Sequence, residues 1–180
     1  MTTADEARSL ARRLLADELP RRWAHTQGVA ARARSLAGIL GDESELIEVA
    51  AFLHDIGYSS EVSFTGFHPL DGARFLRDEL AAEEMLCRLV AHHSGALVEA
   101  EERGIRELSV EFALPDPGLL DALTYCDLTA AVDGHHVDVE ERLHEILIRY
   151  PREHVVHRAV VRSGPSLRRA ATNVQQRLSA

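Results

Sequence analysis

The chain contains no lysine; all 20 of its basic residues are arginine. That absence excludes Schiff-base catalysis through a lysine amine and the phosphate-binding loop whose motif ends in Lys. Cysteine is scarce as well. Cys87 and Cys126 lie far apart in apolar surroundings, which predicts packed free thiols and not a disulfide framework or a zinc knuckle. No stretch approaches the ~20 apolar residues that a membrane-spanning helix needs. The opening MTTADEARSLARRLLADE is charged throughout and has no apolar run of signal-peptide length. The expectation is a cytoplasmic protein with no membrane partner. Basic charge is also in deficit: 29 Asp and Glu against 20 Arg give a net charge of −9. A nucleic-acid polymer is therefore not expected as a partner, because it needs a net basic face.

What is present reads as helix. At 180 residues and 46% apolar content the chain can bury one domain's core. Its apolar residues recur at spacings of three and four, and no strand-like alternation, internal repeat or linker interrupts them. The spacing predicts helices over about 4–17, 20–40, 44–55, from 68, 82–93, 105–112, 119–131, 139–149, 153–161 and 165–178. Residues 57–67 read as a loop, and the LPDPG at 114–118 as a turn. The expected fold is all-α, a single-domain helical bundle over residues 1–180.

Histidine is abundant, with ten copies, and it is the commonest metal ligand. Several of these residues, and one carboxylate, interrupt apolar stripes. Asp127 shares a helical face with Leu120, Leu123, Ala130 and Ala131, where an ionised carboxylate is costly unless paired or metal-bound. His54-Asp55 closes the apolar run 47–53 and is followed by Gly57. His25 sits on the stripe of Val29 and Leu36. His93 continues the face of Leu86, Leu89 and Val90, with His92 about 100° around the helix. His68 opens a helix ahead of Pro69. His135, His136, His144, His154 and His157 read mostly as surface or boundary residues. Imidazoles and carboxylates on the inward faces or ends of different helices are how a helical bundle builds a metal site. Nitrogen and oxygen donors without thiolate suit a divalent ion such as Mn, Fe, Mg, Zn, Co or Ni.

The order His25, His54-Asp55, Asp127 resembles the H…HD…D signature of the HD-domain metal-dependent phosphohydrolases. FHPLDGA around His68 and AHHSG around His92 and His93 resemble the extra histidines of two-metal subfamilies, among them diadenosine tetraphosphate hydrolases and cyclic-di-GMP phosphodiesterases. The likeness spans residues 21–131; the helices expected over 138–178 carry no motif. It implies one or two divalent ions. His25, His54, Asp55 and Asp127 would hold the first, and His68, His92 and His93 the second, with Asp55 bridging. His54 and Asp55 would be the catalytic pair, and the substrate a small, nucleotide-like phosphate ester or anhydride. Where many relatives follow HD-x-G with Lys, this chain has Tyr58, itself expected to contact substrate, so Arg or the metal itself must supply the phosphate contact. The candidates are Arg22 and Arg21 beside His25, and Arg158 and Arg162 on a late helix. Two other readings stand beside hydrolysis: a regulatory module that binds metal or nucleotide without catalysis, and an HD-type di-iron oxygenase.

Overall fold

In the computed structural model, which describes residues 2–180, the elements are helices. Helix α1 (Ala4–Leu15) opens with a capping box: Thr3 accepts from the Glu6 N–H, and Glu6 accepts from the Thr3 N–H. Pro20 begins α2 (Pro20–Ser35), where its missing N–H costs nothing. The helix expected to run to residue 40 breaks at Leu36, whose N–H turns to the Ala33 carbonyl. A short α3 (Ala37–Leu40) and a turn at Gly41–Glu43 follow. Next come α4 (Ser44–Leu53), α5 (His68–Asp78), α6 (Glu84–His92), α7 (Ala96–Arg103), α8 (Glu107–Glu111), α9 (Pro117–Leu128), α10 (Val139–Arg149) and α11 (Val155–Leu178). Among the described residues the only β feature is an isolated bridge between Ala130 and His136. The fold is all-α.

Two further elements depart from the sequence reading. The stretch after Gly95, to which the pattern assigns nothing, forms α7 between Gly95 (φ 80°) and Gly104 (φ 73°), both in the left-handed region. The two late helices expected on either side of Pro165 are one, α11. Proline removes one N–H donor and crowds the carbonyl four residues back. Here both halves are pinned against α7 and α9: Ala159 and Ser163 are buried before the proline, and Leu167, Ala171 and Val174 after it.

Helix α4 decides where the site lies. Ile47, Val49, Ala50, Ala51, Phe52 and Leu53 are all buried, the all-round apolar character of a central helix. It packs against α1, α2, α6 and α9, so the His54-Asp55 pair that follows its last turn emerges at the heart of the bundle. Next comes the tight turn Ile56–Tyr58, which runs hard against the start of α5. A Cβ on Gly57 would lie 2.0 Å from the His68 carbonyl oxygen. That closeness, and not conformational freedom, is why glycine stands there.

The loop before α5 is organised by Asp71. Its buried carboxylate accepts from the backbone N–H groups of Phe64, Thr65 and Gly66 and from the Thr65 hydroxyl. This goes beyond the dipole role that an acid in a first helical turn suggests. Asp71→Ala strips four donors of their acceptor and is expected to lower stability by about 2–4 kcal/mol. It also frees His68 to drift from its neighbours. Urea unfolding and an ion count on the folded fraction check this: wild-type stability with unchanged ion content would contradict it.

Candidate metal centre

Four histidine rings line up through the bundle centre. His25 and His54 have ring centroids 5.6 Å apart, His54 and His93 5.1 Å, and His93 and His68 5.1 Å. They come from α2, the end of α4, the end of α6 and the start of α5. Donor atoms converge in two groups: His25, His54 and Asp127 in one, Asp55, His68 and His93 in the other.

The tautomers show what these groups are suited to hold. A carbonyl oxygen only accepts, so His25 Nδ1–H donates to Ala131 (3.0 Å), His54 Nδ1–H to Ala51 (2.8 Å) and His93 Nδ1–H to Val90 (2.7 Å). In the neutral rings each Nε2 therefore presents a lone pair to the centre. His25 Nε2 faces Asp127 Oδ1 at 2.9 Å, and His93 Nε2 faces His68 Nε2 at 3.2 Å. His54 Nε2 is buried with no hydrogen-bond partner. A buried ring nitrogen without a partner costs about 1–3 kcal/mol, and in the neutral rings a lone pair set against a carboxylate repels. A cation between them removes both penalties. Backbone carbonyls that fix the outer nitrogen are also the usual way of orienting imidazole ligands. The residues fit a divalent ion.

Asp55 lies between the groups. Its Oδ2 is 3.4 Å from His54 Nε2, and its Oδ1 is 3.4 Å from His68 Nε2. Arg22 Nη1 donates to Oδ2 at 2.6 Å, and its guanidinium lies 3.5 Å over the Tyr58 ring. On its other partner, Tyr58 stacks against His68 at 3.9 Å and 19°. Tyr58 thus links Arg22, the cation on Asp55, to a donor of the second group. Asp127 lies in the last turn of α9, and Oδ2 accepts from the Ser94 hydroxyl. Ser94 is a non-glycine residue at φ 48°, in the sharp reversal between α6 and α7.

Burial and charge set the protonation of the site. Burial raises the pKa of Asp55, but Arg22 and His54 outweigh it and hold the carboxyl well below its ordinary range. Burial works the same way on Asp127, where the close contact with His25 and then the charges of His54 and Arg142 win downward. His68 and His93 are pushed down, chiefly by burial and then by neighbouring cationic groups. His54 goes the other way: burial opposes its charged form, yet Asp55 and Asp127 lift it to about 9. Without an ion, His54 therefore keeps a proton at neutral pH, and an ion must displace it. From neutrality to about pH 9 the apparent ion affinity is expected to rise, by about tenfold per pH unit if one proton is released. The proton's own contribution to ion-free stability runs oppositely, full below pH 6.5 and lost as pH climbs through about 9. Calorimetric titration of Mn2+ in buffers of different ionisation enthalpy reads the proton directly; an identical heat in every buffer would contradict it.

The site opens into a cavity of about 620 Å³. Arg21, Arg22, His25, Asp55, Tyr58, His68, His93 and Asp127 reach its wall. Of the residues that the sequence nominates, His54 is fully buried and does not reach the wall, and three others are turned elsewhere. His92 donates from Nε2 to the Phe112 carbonyl at 2.8 Å. The backbone leaves the helix at His92 (φ −113°), so the two rings diverge and only His93 turns inward. Arg158 and Arg162 are tied to Glu102, and Arg162 to Glu101 as well, on the exposed side of α7. Of the other histidines, His135 pairs with Asp133 on the surface and His154 caps α11. Cys87 and Cys126 are buried free thiols.

The sequence reading misses one wall of the cavity, Arg142, Glu145, Ile146, Arg149 and Tyr150 from α10 and its C-terminal end. A signal for it exists. Val139, Arg142, Leu143, Ile146, Arg149 and Tyr150 follow the 3–4 spacing of one helical face, so two arginines occupy inward positions.

Among the described residues no helix is long and apolar enough to cross a membrane. No curated protein and no solved structure matches the chain. One family model does, that of the HD domain, over residues 22–117. The match takes in His25, His54-Asp55, His68 and His93 and stops short of Asp127 and α10. It covers just over half of the chain, which therefore belongs to the HD domain family.

Proposed function

We propose that the protein is a metal-dependent phosphohydrolase that cleaves a phosphate ester or anhydride of a small, nucleotide-like substrate with water. The observation that supports this most is the convergence of inward Nε2 atoms with the buried carboxylate of Asp55 and the half-buried one of Asp127 beside an open cavity. In this reading His25, His54 and Asp127 would hold one divalent ion and Asp55, His68 and His93 a second, with Asp55 lying between the two groups. Bound there, the ions supply Lewis acidity for phosphoryl oxygens and bring the pKa of a water toward ~7. The water oxygen bonds to phosphorus, the ester or anhydride P–O bond breaks, and the leaving oxygen takes up a proton.

The protein's own residues set the electrostatics. Four arginines and five carboxylates line the cavity, so the wall alone is not positive. Anion binding then depends on the ions, and Arg22 offsets part of the Asp55 charge. A volume of about 620 Å³ suits a small molecule and not a nucleic-acid polymer. The test is a phosphate-release screen over phosphomonoesters, diesters and nucleotides with Mn, Mg, Co, Ni, Zn or Fe added. The expected result is turnover that Asp55→Ala lacks. Turnover with redox-inert Mg also separates hydrolysis from an oxygenase. No turnover above Asp55→Ala with any ion would overturn the proposal.

A further inference from the structure

We infer that α10 carries a second anion subsite on the cavity that the histidine groups also line, and that the substrate has two phosphate groups in succession, a diphosphate or longer chain. This rests on the hydrolase reading above and concerns residues outside the matched segment of the family. Arg142 is buried, with 8% of its surface exposed, yet it lines the same cavity as Asp127 and His93. Its Nη1 donates to Glu145, and its Nε is buried without a hydrogen-bond partner. Arg149, seven residues or about two turns further on, donates to the same Glu145 carboxylate. One carboxylate thus serves two guanidiniums, which leaves one positive charge on this wall of the cavity.

A buried guanidinium with an unsatisfied nitrogen is expensive to keep unless something completes it. Glu145 does so in part. The planar donor fork fits phosphate oxygens as well as it fits a carboxylate. Arg142 is also close enough to Asp127 for its charge to help hold that carboxyl down. An anion on Arg142 and Arg149 therefore lies near the donor groups while remaining separate from them. A single phosphate held at the ions leaves this wall unused, and a second phosphate joined to it engages both sides.

The test uses full-length, manganese-loaded protein and two probes, inorganic phosphate and methylenediphosphonate, whose P–C–P link resists hydrolysis. Calorimetry is expected to show the diphosphonate binding at least about tenfold more tightly than phosphate, the scale of one added charge-assisted contact. Arg149→Gln and Arg142→Gln are each expected to reduce diphosphonate affinity at least about fivefold while phosphate affinity stays within about twofold. Arg149 is partly exposed, so its variant carries the test should Arg142→Gln fail to fold. Equal affinity for the two probes, or arginine variants that weaken both alike, would overturn the subsite while leaving hydrolysis standing. A wild-type protein that takes up manganese and binds neither probe would overturn the subsite and the hydrolase reading together.

Discussion

Asp55→Ala is expected to reduce turnover by about 10³-fold or more, the scale of losing an essential catalytic group, and to lower ion content in both donor groups at once. The reason is its position. One oxygen lies 3.4 Å from His54 Nε2 and the other 3.4 Å from His68 Nε2, so no other single residue serves both groups. Removal also takes from Arg22 the carboxylate that its Nη1 contacts at 2.6 Å, leaving a cation beside imidazoles that are needed neutral. Asp55→Asn separates charge from shape. It keeps the side-chain volume, and its folded fraction is expected near wild type, while ion content and turnover fall as for alanine. Ion content by mass spectrometry, read together with turnover, decides the matter. A variant that keeps two ions and full activity would remove Asp55 from the centre of the chemistry.

The residues that could be found in the sequence share one property: each is a polar group at a position where helical spacing calls for an apolar one. His25, Asp127 and the inward member of the His92-His93 pair are of this kind, as is His54 behind its apolar run. The same rule reaches Arg142 and Arg149 on α10. Arginine, however, is plentiful in this chain, and its long side chain often lies along apolar surface with its head in water. Spacing alone does not separate the two cases. Arg158 and Arg162 show the opposite failure: they share a helix face, but their partners Glu101 and Glu102 belong to α7, a helix without a clear periodic signal. Which helix faces which is a tertiary fact, and local spacing does not contain it. Asp71 is similar, because its acceptor role depends on a loop folding back over the helix that follows it. Pro165 marks a break in the sequence that burial on both sides overrides.

Gly57→Ala carries the second large effect, and it acts without touching a donor atom. A Cβ there would lie 2.0 Å from the His68 carbonyl oxygen and 2.8 Å from the Gly72 nitrogen. Both obstacles are backbone, so no side-chain rotation relieves them and the first turn of α5 has to move. Overpacking of this kind costs about 1–3 kcal/mol or more, which for a chain of this size lowers the melting midpoint by roughly 3–10 °C. His68 is carried on the displaced turn, so it leaves Asp55 and His93 while His25, His54 and Asp127 stay in place. The expected protein is folded, holds one ion in place of two and has lost most of its turnover. Gly38→Ala is the control: nothing lies within 4 Å of a Cβ at that exposed position of α3. The change there is expected to leave ion content and turnover alone and to stabilise by about 0.5–1 kcal/mol. If Gly57→Ala instead kept both ions, the close approach of the Ile56–Tyr58 turn to α5 would not be what sets His68 against Asp55. If it lost one ion and kept full turnover, the His25, His54 and Asp127 group would suffice for the chemistry by itself.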